Sequence, residues 1–180
     1  MASKALNQMT RERLRGKLLA KRFDAEEKAL EKREQELAER AWKKLVGPKN
    51  VETINSLPDG WLDSIGSIKV ATGDRGFTIL KLAERKPVPE KFRGNAVKES
   101  ADSSLGSAVR QLVNDKETLS EKKRELRAQI DAALGQFNTT KQLREGWPEA
   151  AEFLPAESNE KRVPMVPVDR LNEALGLQSA

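Results

Sequence analysis

Of the ionisable side chains, only the carboxylates and the cations stand at spacings that suggest chemistry. Asp59 and Asp63 are four residues apart on either side of Trp61, and Asp74 lies between Gly73 and Gly76. A metal ion or a general-acid step draws on carboxylates of this kind. Their neighbours favour a plainer role. Pro58-Asp59-Gly60 and Gly73-Asp74-Arg75-Gly76 are turn sequences, in which an Asp side chain accepts from nearby backbone N–H groups. The 180 residues include no Cys, no His and no Tyr. That excludes a zinc finger, a thiolate nucleophile, a disulfide, a Ser-His-Asp triad and a histidine-ligated metal. Neither a G-x-G-x-x-G nor a G-x-x-x-x-G-K-S/T stretch is present, so no nucleotide cradle is indicated. We assign no catalytic residue, metal ligand or cofactor, and expect a binding or scaffolding protein rather than an enzyme.

The cations are unevenly placed. Residues 1–22 hold Lys4, Arg11, Arg13, Arg15, Lys17, Lys21 and Arg22 against Glu12 alone, a net +6; the rest of the chain sums to −1. Such a segment meets phosphate through a sequence-blind, salt-sensitive attraction. Arg11, Arg13, Arg15, Lys17, Lys21 and Arg22 are therefore the candidate nucleic-acid contacts. The same residues would equally form the solvated face of a charged helix. Trp61 and Trp147 each follow a Gly and lie beside a Pro, which suits an indole closing the end of a core or anchoring a partner. With five Phe and three Trp in all, a base-stacking platform of the usual kind is hard to build.

These residues need elements to hold them. Leu, Ile, Val and Phe make up 41 of the 180 residues, just above the ~20% below which a highly charged chain stays disordered. The core must be thin. From Thr10 to Val46 there is no Pro, and Leu19, Phe23, Leu30, Leu37, Ala41 and Leu45 recur at helical spacing. Gly47-Pro48 closes this segment, predicting a helix over 10–46 about 55 Å long. A second helix is predicted over 103–137, with Asp102 as its cap. Leu105, Leu112, Leu119, Leu126 and Ala133 repeat every seven residues there, and Val109, Lys116, Lys123, Ile130 and Phe137 fill the offsets. An antiparallel, coiled-coil-like hairpin of these two helices would bury both thin stripes; self-association into a bundle is the competing solution.

Between the helices the period changes to two. Ser67–Ala71 and Phe77–Leu82 alternate around Thr72–Gly76, predicting a β-hairpin over 67–82 that must pack on the helices or gain a third strand. Lys86-Pro87-Val88-Pro89 is extended and unsuited to a central strand. Thr139 and Gln142 form a capping box for the first of two short helices within 139–154, the second opening at Pro148. The expected organisation is thus a mainly α (α+β) single extended domain over 1–154, a proline-bearing linker over 155–168, and a short helical tail over 169–180. The apolar runs are too short to span a bilayer, and the basic N-terminus has no apolar segment of a secretory signal. A soluble, intracellular protein is expected.

Four segments together resemble the phage-encoded nucleotide modification associated domain 5 family, over roughly residues 9 to 177. They are Met9-Thr10-Arg11-Glu12-Arg13-Leu14 with the Ala-Glu-Glu and Arg-Glu repeats up to Trp42; Leu57-Pro58-Asp59-Gly60-Trp61-Leu62 with Ser67-Ile68-Lys69-Val70; Glu121-Lys122-Lys123-Arg124-Glu125-Leu126-Arg127; and Leu143-Arg144-Glu145-Gly146-Trp147-Pro148-Glu149-Ala150-Ala151 running to Phe153-Leu154-Pro155. The last is the most specific. The resemblance implies work in the host cytoplasm beside phage genes that alter DNA bases. Two roles suit that setting: assisting phage nucleic-acid metabolism on or near DNA, or binding and disabling a host enzyme or defence complex. The resemblance carries no catalytic residues with it.

Overall fold

A computed structural model of the chain describes residues 4–58, 60–73 and 76–154. The linker and tail expected over 155–168 and 169–180 lie outside the described residues, as do Asp59, Asp74 and Arg75. The architecture is mainly helical, with one long N-terminal helix and a small three-stranded sheet.

Helix α1 (Gln8–Val46) has 39 residues and is therefore about 58 Å long. It starts two residues ahead of the expected point because Asn7 caps it, its side-chain oxygen accepting from the Thr10 N–H at 2.9 Å. It ends at Gly47, whose φ of 86° is open to glycine at little cost. Pro48 opens α2 (Pro48–Ser56) at once, an unforeseen element: the Gly-Pro pair turns the helical path as well as ending it.

Strands β1 (Asp63–Thr72) and β2 (Phe77–Val88) form an antiparallel hairpin longer than expected at the open end. Strand β3 (Ala96–Glu99) adds to β1 in parallel, so the order is β2-β1-β3. The third strand supplies the support that a lone hairpin lacks. Pro87 lies in β2, an edge strand, where proline is tolerated. Alternation sends Ile68, Val70, Leu80 and Val97 inward, all buried. The sheet's other face has no helix against it.

Helix α3 (Ser104–Gly135) is capped by Ser103, not by the Asp102 we expected. The Ser103 hydroxyl accepts from the Gly106 N–H at 3.0 Å and donates to the Glu99 carboxylate at 2.6 Å. A carboxylate at 103 could not donate, and Asp102 points to solvent. Helix α4 (Thr140–Gly146) has the Thr139–Gln142 capping box, and α5 (Pro148–Ala151) follows.

Helices α1 and α3 run in opposite directions, as their cross-links show: Arg15 meets Asp131, Glu27 meets Lys123, Glu34 meets Lys116, and Arg40 meets Ser104. Two apolar clusters lie along them. One joins the C-terminal half of α1 to α2, the sheet and the start of α3, around Trp42, Leu80 and Leu112. The Trp42 indole N–H donates to the Pro87 carbonyl at 2.9 Å. The other joins Leu6 and Leu14 to Ile130, Leu134, Leu143 and Ala150 at the far end. Between them the expected seam changes character. Lys116 and Lys123, at core positions of the heptad, pair with Glu34 and Glu27 instead of packing only by their stems.

Candidate functional site

The far end shows what the N-terminal cations do. Arg11 is largely committed to the fold: its guanidinium donates to the carbonyls of Leu6 at 3.0 Å, and of Leu134 and Phe137 at 2.7 Å each. These last two are carbonyls at the end of α3, which a cation satisfies and stabilises. Arg15 grips both oxygens of Asp131 at 3.0 Å, and Arg22 pairs with Glu26 one turn on. Lys17 donates to the Phe153 carbonyl at 3.1 Å, and the Lys21 ammonium lies 5.2 Å from the Phe153 ring centroid. Arg13 is exposed, with no hydrogen bond or ion pair among the described residues. Arg13, Lys17 and Lys21 follow one another at i, i+4 and i+8, so they form a row along one side of α1.

The two tryptophans differ. Trp147 is half-buried against the far cluster and caps α5. Trp61 does not close a core: it is 72% exposed. Gly60, at φ 90°, turns the chain so that Leu62, the next residue, packs on the core instead. The buried indole is that of Trp42, which the periodicity of α1 alone did not single out. Beside Trp61, a cleft of 430 Å³ is lined by Ile54, Leu57, Pro58, Leu62 and Arg85, among others.

The open face of the sheet was missed as a site. Strand pairing puts Phe77, Ala71 and Lys98 in one row across it, and Ile79, Lys69 and Ala96 in the next; Lys81 and Ser67 follow. Phe77 and Ile79 are 55% and 54% exposed. The Lys69 ammonium lies 5.1 Å from the Phe77 ring centroid. A cleft of 230 Å³ adjoins this face, lined by Lys69, Ile79, Phe92 and Asn95 among others. The two-residue period already aligned Lys69 and Lys81 with Phe77 and Ile79. What was lacking was β3, which brings Lys98.

Of the three carboxylates singled out in the sequence, only Asp63 lies among the described residues. Asp63 faces Arg93 at 3.2 Å. Among the described residues no group of three or more His, Cys, Asp or Glu could hold a metal ion. The buried acids serve the fold. Glu34 accepts from the Lys81 N–H at 3.1 Å and pairs with Lys116 at 2.7 Å. Burial pushes the Glu99 carboxyl up, but bonds from Lys44 and Ser103 and the charges of Lys44 and Arg40 outweigh it, leaving its pKa below the ordinary value.

The fold is that of a mainly helical α+β protein, with no helix among the described residues long and apolar enough to cross a membrane. The chain belongs to the nucleotide modification associated domain 5 family, whose model matches residues 5–178. Comparison with curated proteins and with solved structures found no match.

Proposed function

We propose that the protein is a non-catalytic accessory of phage nucleic-acid modification or metabolism, acting on or near DNA in the host cytoplasm. The family's description ties the chain to nucleotide modification. The observation that carries the DNA reading is the row of Arg13, Lys17 and Lys21, whose charges remain at the surface while Arg11 and Arg15 are spent on α3. Lys17 and Lys21 have only weak ties to Phe153, which phosphate oxygens can replace. The non-catalytic reading rests on the absence of Cys and His from the sequence.

A labelled blunt duplex tests it by fluorescence anisotropy. Three phosphate contacts give a slope of about −2.7 in log affinity against log salt. Arg13→Glu, Lys17→Glu and Lys21→Glu together should flatten that slope. No binding at about 50 mM salt, or equal binding by the triple variant, would sink the proposal.

Trp61 favours a second reading, a protein-protein inhibitor of a host enzyme or defence complex. An exposed indole beside a cleft of mixed polar and apolar lining is a common kind of anchor at interfaces. This reading expects a host complex that survives nuclease treatment and is lost in Trp61→Ala; a complex unaffected by Trp61→Ala would count against it.

A further inference from the structure

We propose that the open face of the sheet binds single-stranded nucleic acid, with phosphates along the Lys81–Lys69–Lys98 diagonal and bases against Phe77 and Ile79. The proposal rests on the nucleic-acid reading above for its class of ligand, and on the sheet's own geometry for place and strandedness. Lys81 stands in β2, Lys69 in β1 and Lys98 in β3, each one row further along. Diagonal neighbours on a sheet are about 7–8 Å apart, so the three lysines stand on a diagonal across all three strands. No carboxylate shares the outward positions of these paired rows. Carboxylates of α1, Glu27, Glu31 and Glu34, share a cleft with Lys81 at one end of the line; a lysine line of this kind suits an anionic backbone better than a second copy of this chain, which would bring a second set of lysines against the first.

The apolar side chains lie on one flank of that line. Phe77 offers a ring more than half exposed, with Lys69 held near it. A cation beside a stacking ring places the phosphate and base partners of one nucleotide next to each other. The adjoining cleft, walled by Phe92 and Asn95, has 230 Å³. That is below the ~300–1,000 Å³ of ordinary small-molecule pockets, so it suits a fragment such as one base. A duplex keeps its bases stacked inside and could use only the lysines. Single strands use both halves of the face.

The test uses the full chain and three labelled probes: an oligothymidylate of about a dozen nucleotides, within the usual site sizes of single-strand binders, a blunt duplex, and polyglutamate. Lys69→Glu, Lys81→Glu and Lys98→Glu together should abolish most oligothymidylate binding and remove about two units of salt slope at ~0.7 per phosphate. Phe77→Ala should weaken it by about five- to a hundredfold, the range for one stacked base. These side chains are exposed or half-exposed, and an unchanged thermal midpoint will show that the variants fold. Retention of oligothymidylate binding by the Arg13, Lys17 and Lys21 variant completes the expected pattern. Loss in that variant but not in the sheet variants overturns this proposal and leaves the DNA reading standing, as does a chain that binds duplex alone. Binding neither nucleic acid overturns both. Polyglutamate bound as tightly as the oligothymidylate, or a dimer lost in Phe77→Ala with no nucleic-acid binding, also overturns it.

Discussion

The sheet end and the far end of the α1–α3 pair are built by opposite means. At the sheet end, three strands and three helices enclose Trp42, and most partners are close in sequence: β1 meets β2 across a single turn. At the far end, the buried set is smaller and comes from widely separated places. The Leu6 N–H donates to the Asn138 carbonyl at 2.8 Å, and the Thr140 N–H to the Lys4 carbonyl at 2.9 Å. Arg11 crosses to α3, and Gly146 leaves the space that the Phe137 ring fills. One end is held by packed area, the other by polar clasps. Between them, Glu34–Lys116 and Glu27–Lys123 form an ionic neck. The difference teaches that a chain poor in apolar residues can complete a second small core by bonding carbonyls that a helix end would otherwise leave open.

If that contrast is right, perturbations should separate the ends by size and by location. The largest effect belongs to Trp42→Ala, which empties a fully buried site and strips the Pro87 carbonyl of its donor; about 3–5 kcal/mol should be lost, read from denaturant unfolding. Native-state hydrogen exchange should then show the sheet opening before α4. Simultaneous, equal opening at both ends would merge the two regions into one cooperative unit and break the comparison. Arg11→Ala should cost about 1.5–3 kcal/mol, the range for hydrogen bonds from a charged donor, with faster exchange at the end of α3 and in α4, and little change in the strands. In the neck, Glu34→Gln keeps an acceptor for the Lys81 N–H and removes the charge facing Lys116. With Lys116 partly exposed, a loss of about 1 kcal/mol or less is expected.

The smallest effect is a pH dependence confined to the sheet end. The Glu99 carboxyl is held below its ordinary value in the folded chain, so the unfolded chain takes up this proton first as pH falls. Its contribution is complete above the ordinary carboxylate value and fades as pH drops through the lower folded one. Glu99→Gln should remove that part of the acid sensitivity at the start of α3, measured by hydrogen exchange across acid pH. An unchanged acid profile would show that the Lys44–Glu99–Ser103 group contributes nothing there.

Much of this was legible in the residues. The helical spacing and Gly47 placed the end of α1 at Val46, the alternation around Thr72–Gly76 placed the hairpin, and Thr139 with Gln142 placed α4. Each rests on local stereochemistry. The rest was hidden because it depends on distance in sequence. Nothing near Ala96 announces a strand until β1 offers it an edge, and nothing near Leu6 announces burial until Asn138 meets it. The cations show the same limit. Seven basic residues in 22 look alike in sequence, and only the fold separates Arg11, which caps a helix, from Arg13, which faces water. The sheet's lysines needed β3 before they formed a line. Trp61 looked like a core residue because its Gly and Pro neighbours say that the chain turns, not which way the ring goes.

Arg11 also sets an order of events during synthesis. Its acceptors, the carbonyls of Leu134 in α3 and of Phe137 just past it, lie 123 and 126 residues further along the chain. At about 5–20 residues per second, the ribosome needs roughly 6–25 s to make the carbonyls that this arginine will hold. Throughout that interval the earliest helix is without its far-end partner, whereas the sheet region has everything it needs once Leu112 has been made. The same holds for the bonds from Lys4, Leu6 and Lys17 to Thr140, Asn138 and Phe153, so the clasps that close late are made by some of the first residues synthesised.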